Sequence, residues 1–154
     1  MRLSIVAVGR LKEPYYRDAA AEYIKRLGPY ASLNITEVQD RDVTRDESRA
    51  RAEEGEAVVR ALPEGAHVIA LDVAGRSLDS EGFAAHLARL GLDGRSTVAF
   101  VIGGAAGLDP AVLTRADERL SLGPMTLPHQ LARVVLLEQV YRAYRINRGE
   151  PYHR

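Results

Sequence analysis

The chain has 154 residues, of which 46% are apolar and 27% charged, and 21 basic residues are balanced by 21 acidic ones. This length and composition are typical of one soluble globular domain, and zero net charge argues against a protein that coats nucleic acid through its overall field. The absence of cysteine excludes disulfides, thiolate metal sites and cysteine nucleophiles. No apolar run approaches the ~20 residues that span a bilayer, and the N-terminal run is too short for a signal peptide, so we expect a cytoplasmic protein.

Short runs rich in β-branched residues predict four strands, at residues 3–8, 33–38, 67–71 and 97–102. Segments with helical periodicity separate these runs. Because strands and helices alternate along the chain, the sequence predicts a single α/β domain with a parallel sheet.

Proline, glycine and aspartate mark the ends of the predicted helices. The first helix covers residues 14–27 and stops at Gly28-Pro29, and the second covers roughly residues 45–62. Asp79 or Ser80 is predicted to cap the third helix after a turn at Gly75. These helices are the expected cover of the sheet.

The last predicted helix, residues 128–146, is apolar on nearly all sides. Such a helix must be covered both by its own core and by a further surface, so we predict a homodimer that uses this helix. Glu138 and Arg142 have the i, i+4 spacing of a structural ion pair, and His129 and Arg133 have the same spacing on another face.

Two loops are candidate ligand sites. Residues 103–107 read Gly-Gly-Ala-Ala-Gly and follow the fourth predicted strand, where glycines let the backbone approach a ligand closely. Residues 120–128 contain Gly123-Pro124 and offer backbone donors beside apolar side chains, with Thr126 as the predicted cap of the next helix. This combination suits an adenine and a thioether, although a tight turn and a plain strand-to-helix connection would look similar.

The C-terminal tail, residues 147–154, ends in Tyr152, His153 and Arg154. From residue 133 onward five arginines face only two glutamates, so an anionic partner is expected to meet this end. An aromatic ring can stack on a base, arginine can hold phosphate, and histidine can move a proton near neutral pH. A frayed and chemically idle chain end fits the same pattern.

Three runs carry a family resemblance: residues 5–9 (Ile-Val-Ala-Val-Gly), 125–130 (Met-Thr-Leu-Pro-His-Gln) and 149–153 (Gly-Glu-Pro-Tyr-His). Together with the glycine loop, they resemble the RlmH type of the SPOUT superfamily over essentially the whole chain. The resemblance implies one α/β domain over residues 1–154, with a parallel sheet flanked by helices and a C-terminal trefoil knot. It places the knot and the cofactor pocket in roughly residues 100–146 and a substrate-binding tail at residues 147–154.

The resemblance also implies a homodimer that binds S-adenosylmethionine in the knot. One departure concerns Gly123, because many relatives have a serine at this place and any contribution from its hydroxyl is lost. The implied cofactor-binding residues are Leu71, Gly103, Leu122, Gly123, Pro124, Met125, Thr126 and Leu127.

The activity implied by the resemblance is methylation of ring nitrogen N3 of a pseudouridine in large-subunit (23S) ribosomal RNA, on the assembled ribosome and without a metal. Removal of the N3 proton is the chemical difficulty, and His153 or His129 is the predicted acceptor. Arg142 or Arg154 would stabilise the developing anion, and Tyr152 would stack on the base or position it. The residues assigned to catalysis are His153, Tyr152, Arg142 and His129, and those assigned to substrate binding are Arg133 and Arg154.

Three other readings stay open. A SPOUT methyltransferase with another ribosomal or transfer RNA target would share these motifs, and so would a catalytically silent factor that binds ribosomes. A nucleotide-binding hydrolase is disfavoured, because the sequence has neither a P-loop nor clustered metal ligands.

Overall fold

A computed structural model describes residues 1–152. Strands and helices alternate along this part of the chain, as the sequence predicts. In chain order the elements are β1 (Arg2–Val8), α1 (Pro14–Leu27), β2 (Ser32–Val38), α2 (Glu47–Ala61), β3 (His67–Ser77), α3 (Ser80–Leu92), β4 (Thr97–Ile102), α4 (Pro110–Arg115), β5 (Glu118–Ser121) and α5 (His129–Asn147).

The strands form one sheet in the order β2-β1-β4-β3-β5, and every pairing in it is parallel. The predicted parallel α/β architecture is therefore confirmed. Since parallel strands all end at the same edge, the segments that follow β3, β4 and β5 meet at one side of the sheet. This edge contains both loops that the sequence singles out.

Helices cover both faces of the sheet. In β1, Leu3 and Ile5 pack with residues of α1, α3 and α5, whereas Val6 and Val8 pack with residues of α2 and α4. Strands buried on both faces need apolar side chains at successive positions, which explains why they read as continuous apolar runs. No helix within residues 1–152 is long and apolar enough to cross a membrane.

Side-chain caps begin three of the helices. The carboxylates of Asp46, Asp79 and Asp109 accept hydrogen bonds from the backbone N–H groups of the first turns of α2, α3 and α4. Asp79 was one of the two predicted caps of α3. The predicted cap at Thr126 is wrong, because Pro128 directly precedes α5 and no side chain caps this helix.

The region around β3 and β5 differs from the sequence prediction. β3 continues to Ser77, with an irregularity in its pairing with β5 between Leu71 and Arg76. Gly75 lies inside this strand, not in a turn, and a Cβ there would come within 2.7 Å of the Arg119 carbonyl carbon. The missing side chain thus lets β5 lie against β3.

Candidate functional site

A cavity of about 340 Å³ opens at the carboxyl edge of the sheet, between the middle of β3, the ends of β4 and β5 and the start of α5. Its walls are mainly apolar side chains and glycine backbone, with Asp72, Thr126 and His129 as the polar side chains. Lining residues are Leu71, Asp72, Val73, Ile102, Gly103, Gly104, Gly107, Leu108, Leu113, Leu120, Leu122, Gly123, Met125, Thr126, Leu127, His129 and Ala132.

The structure brings seven of the eight predicted cofactor-binding residues to this cavity, all except Pro124. Position in the fold explains the grouping. Gly103 directly follows β4 and Leu122 directly follows β5, while Leu71 lies in β3 at the point where its regular pairing with β5 is interrupted. The sequence did not indicate Asp72 and Val73, although a polar residue directly after a predicted strand was a usable signal.

The glycine loop after β4 closes on itself. The N–H of Gly107 donates to the carbonyl of Gly104 at 3.0 Å, and Gly107 has φ +78°. A Cβ on Gly103 would lie 3.0 Å from the carbonyl carbon and oxygen of Gly107, and one on Gly104 would lie 2.9 Å from Val8 Cγ1. The backbone at Gly103 and Gly104 is therefore packed too closely to leave room for a side chain.

The second loop is held by a serine at the end of β5. Ser121 Oγ accepts from the N–H of Gly123 at 3.1 Å and donates to its carbonyl at 3.0 Å. Gly123 has φ +128°, a conformation that residues with a side chain rarely adopt. The side chain of Met125 is 83% exposed at the rim of the cavity, and Val73 on the opposite strand is 59% exposed.

Arg133, a predicted substrate-binding residue, is only 3% exposed. Its guanidinium donates to Glu37 Oε2 at 2.5 Å and to the carbonyl of Gly9 at 2.9 Å. These partners tie α5 to the ends of β1 and β2. The buried position favours a structural role, while a contact of Arg133 with RNA stays a prediction.

Tyr152, the last residue that the structure describes, packs on helix α5. The ring of Tyr152 packs edge-on against Tyr141 at 4.8 Å, and the guanidinium of Arg142 lies 4.9 Å from the centre of the Tyr152 ring. The hydroxyl of Tyr152 donates to Glu138 Oε2 at 3.2 Å, and Arg142 Nη2 pairs with the same oxygen at 2.8 Å. The predicted ion pair of Glu138 and Arg142 is confirmed.

Burial, together with hydrogen bonding to Tyr23 and the nearby charge of Glu138, raises the pKa of Tyr152 to about 12. This phenol is therefore protonated at neutral pH. It can stack and donate a hydrogen bond, but it is a poor acceptor for a substrate proton.

Of the predicted catalytic residues within residues 1–152, His129 lies apart from Arg142 and Tyr152. His129 is half-buried and lines the cavity, whereas Arg142 and Tyr152 lie together further along α5. Arg142 lies thirteen positions after His129 in this helix, which at about 1.5 Å per residue is ~20 Å. His153 and Arg154 lie outside the described residues.

Solved structures with the same fold come from several bacteria. A Haemophilus influenzae protein described as a methylase family protein has a TM-score of 0.59 at 15% identity, and the match covers 96% of this chain and 66% of the other. A Legionella pneumophila protein described as a methyltransferase in complex with S-adenosylmethionine has a TM-score of 0.52 at 13% identity, covering 93% and 66%. At these identities the likeness shows a shared fold.

Sequence comparison is more specific. Two curated relatives, from Bifidobacterium adolescentis and Listeria monocytogenes, are 50% and 52% identical over 159 aligned positions that cover the whole of both chains. Both carry the name Ribosomal RNA large subunit methyltransferase H. Residues 1–153 also match the family described as "Predicted SPOUT methyltransferase", and the chain therefore belongs to the SPOUT methyltransferase family.

Proposed function

We propose that this chain is an S-adenosylmethionine-dependent methyltransferase of large-subunit ribosomal RNA, and that its acceptor is ring nitrogen N3 of a pseudouridine in 23S RNA. One observation carries the proposal: the cavity at the carboxyl edge of the sheet is formed by the predicted cofactor residues, in a chain half identical to rRNA large subunit methyltransferase H proteins along its full length.

The cavity fits the cofactor in size and chemistry. Small-molecule sites commonly occupy roughly 300–1,000 Å³ and combine apolar walls with a few polar groups. Leu71, Ile102 and Leu122 offer apolar surface for an adenine ring, and the glycine loop brings backbone groups close to the ligand. Asp72 supplies a carboxylate at the rim that can accept hydrogen bonds from ribose hydroxyls.

The bound cofactor supplies a methyl group activated by a sulfonium centre, which the pseudouridine nitrogen receives as the carbon–sulfur bond breaks and the N3 proton leaves. The chain must hold the two partners in line and accept that proton. We assign this task to His129, and its place among the residues that line the cavity supports the assignment. His153 remains the alternative base.

Arg142 and Tyr152 serve substrate positioning in this proposal. Tyr152 is protonated at neutral pH, and Arg142 carries a positive charge that lies over the Tyr152 ring. This pair suits the stacking of a nucleobase and the stabilisation of negative charge on its ring. The tail over residues 147–154 is thus the substrate-binding part of a single domain that spans residues 1–154.

We further propose a homodimer in which the tail of one protomer completes the cavity of the other. The ~20 Å along α5 between His129 and Arg142 keeps the two halves of the site apart within one chain. Leu131, Val134 and Val135 on the same helix are only partly buried, although the helix is apolar on nearly all sides. A second protomer packed on this surface would both cover it and supply the tail.

The assembled ribosome is the proposed substrate particle. Zero net charge gives the chain little general attraction for phosphate, so binding to free RNA is expected to be weak. Recognition then depends on the shape of a folded particle more than on overall charge.

The test is transfer of labelled methyl from S-adenosylmethionine to ribosomes that lack the modification, compared with free ribosomal RNA and transfer RNA. Nucleoside mass spectrometry then identifies the product. We expect N3-methylpseudouridine in 23S RNA and faster labelling of ribosomes than of free RNA.

Label in another nucleoside would overturn the proposed acceptor and leave a methyltransferase with a different target. A folded protein that binds ribosomes but transfers no methyl group to any RNA would overturn the enzyme and favour a silent binding factor.

A further inference from the structure

Three side chains with metal-binding chemistry meet at the amino edge of the sheet. His67 begins β3, Glu118 begins β5, and His86 lies in the middle of α3. The cofactor cavity opens at the opposite, carboxyl edge, so this cluster is a separate feature of the fold.

The cluster is compact. His67 Nε2 lies 2.5 Å from Glu118 Oε2, and His86 Nε2 lies 2.8 Å from each oxygen of the same carboxylate. One potential ligand atom from each residue lies within 4.8 Å of the other two. The side chains of His67, His86 and Glu118 are 12%, 16% and 22% exposed, so an ion can enter from solvent and lose most of its hydration there.

Two imidazoles and one carboxylate form a donor set that Zn²⁺ uses with a water molecule as the fourth ligand. Bond lengths of about 2.0–2.1 Å in tetrahedral geometry separate the ligand atoms by roughly 3.3 Å. The observed hydrogen-bonded distances are shorter by less than about 1 Å, so small rotations of the side chains would make room for the ion.

The surroundings of His67 supply a second argument. Its Nδ1 is buried and has no hydrogen-bond partner among the described residues, and it lies 3.9 Å from Asp117 Oδ2. The Asp117 carboxylate is itself fixed by the N–H of Val68 at 2.8 Å. Metal-bound histidines usually direct the second ring nitrogen to a carboxylate, and binding through Nε2 would put the proton on Nδ1, which faces Asp117.

We propose that His67, His86 and Glu118 form a binding site for a divalent transition metal ion, with Zn²⁺ as the ion that matches the donors best. The bound ion would link α3, β3 and β5 and so stabilise the short strand at the edge of the sheet. Its role is structural, because the methyl-transfer cavity lies at the other edge.

The test begins with full-length protein stripped of metal by a chelator and titrated with Zn²⁺ by calorimetry. We expect one high-affinity equivalent per chain and a higher melting temperature with Zn²⁺, because an ion that binds only the folded state stabilises it. Co²⁺ in place of Zn²⁺ should give the d–d absorption of a tetrahedral nitrogen and oxygen site.

His86→Gln and Glu118→Gln are the site variants, since their amides can retain hydrogen bonds within the cluster and so preserve the fold. Each is expected to weaken Zn²⁺ binding by at least about tenfold and, at the same Zn²⁺ concentration, to give a smaller rise in melting temperature than the parent chain. His129→Gln and the exposed Glu64→Gln remove the same groups elsewhere and should bind Zn²⁺ like the parent chain. Folded parent protein that binds no Zn²⁺ or Co²⁺, or site variants that bind as well as the parent, would overturn the proposal.

Discussion

Gly103 limits what the cofactor cavity can hold. A Cβ at this position would lie 3.0 Å from the Gly107 carbonyl, which is backbone and cannot rotate away. Overpacking of this kind typically costs about 1–3 kcal/mol. We therefore expect Gly103→Ala to weaken S-adenosylmethionine binding on the order of tenfold or more in a calorimetric titration.

Gly91→Ala is the matched control for this change. Gly91 lies in α3 outside the cavity, and a Cβ there would meet Met1 Cε at 3.4 Å, which is ordinary contact. This variant should bind the cofactor like the parent chain. Unchanged affinity in Gly103→Ala would show that the ligand does not approach this wall.

The burial of Arg133 favours a structural role, whereas the family resemblance implies a contact with RNA, and one variant distinguishes the two roles. Its guanidinium joins Glu37 to the Gly9 carbonyl in a nearly inaccessible position, so Arg133→Met leaves both acceptors without a donor. We expect a loss of about 2 kcal/mol in the free energy of unfolding, since Glu37 is one-third exposed and can be rehydrated. Denaturant unfolding measures this loss.

Arg60→Met is the control, because Arg60 forms an exposed ion pair with Glu56. Exposed pairs contribute at most about 1 kcal/mol, so its stability should change little. If Arg133→Met kept full stability but lost affinity for ribosomes, Arg133 would be a substrate contact as the family resemblance implies.

The contacts of these residues also show which side-chain contacts can be predicted from the sequence and which cannot. The pair of Glu138 and Arg142 was predictable because i, i+4 spacing on a helix fixes the contact locally. The partners of Arg133 were not, since Glu37 and Gly9 precede it by 96 and 124 residues. Contacts across such separations depend on the order of strands, which one sequence does not state.

The packing of the tail on α5 predicts a response to alkaline pH. The pKa of Tyr152 is about 12 in the folded chain, against an ordinary value of 10.0, so the folded state holds this proton more tightly than the unfolded state. The resulting stability is complete below about pH 10 and is lost as the pH rises through 12. Melting temperatures between pH 9 and 12 should therefore fall less steeply in Tyr152→Phe than in the parent chain.

Tyr15→Phe serves as the comparison, because Tyr15 is 66% exposed. Its melting curve should follow that of the parent chain at every pH. If the melting temperature fell equally steeply with pH in Tyr152→Phe and in the parent chain, the phenol of Tyr152 would not pack on α5 in solution.

Long elements were predictable and short ones were not. The four predicted strands and the four longer helices all exist, because each is long enough to show a periodicity or an apolar run. β5 has four residues and α4 has six, too few for either pattern. The position of β5 instead depends on Gly75, because its missing side chain lets the backbones of β3 and β5 approach each other. From the sequence alone, a glycine at this position predicts a turn.

The parallel sheet followed from the alternation of strands and helices, and with it the edge at which the cavity lies. The trefoil knot could not be predicted in this way, because the threading of a chain leaves no local pattern in its sequence and knots are rare. Membership of the SPOUT family implies it. The cluster of His67, His86 and Glu118 was equally hidden, because it joins two strands and a helix that are distant in sequence.

Completion of the site by a second protomer is testable with two inactive variants in one dimer. Gly103→Ala weakens cofactor binding in the cavity, and Tyr152→Ala removes the proposed base-stacking side chain of the tail. At an S-adenosylmethionine concentration far below the dissociation constant of the Gly103→Ala chain, each homodimer is therefore expected to have little activity. Co-expressed in equal amounts, the two chains form mixed dimers in half of all cases, and each mixed dimer has one site with an intact cavity and an intact partner tail. We therefore expect methyl transfer to ribosomes at about one quarter of the parent rate.

The same experiment separates the two arrangements of the tail. If each tail served its own cavity, every site in the mixed dimers would carry a defect, and activity would stay at the level of the single variants. A co-expressed pair of Gly103→Ala chains controls for chain number and should remain inactive. Recovery in the mixed sample alone would thus assign the cavity and the tail of one active site to different protomers, in agreement with the ~20 Å that separates His129 from Arg142 along α5.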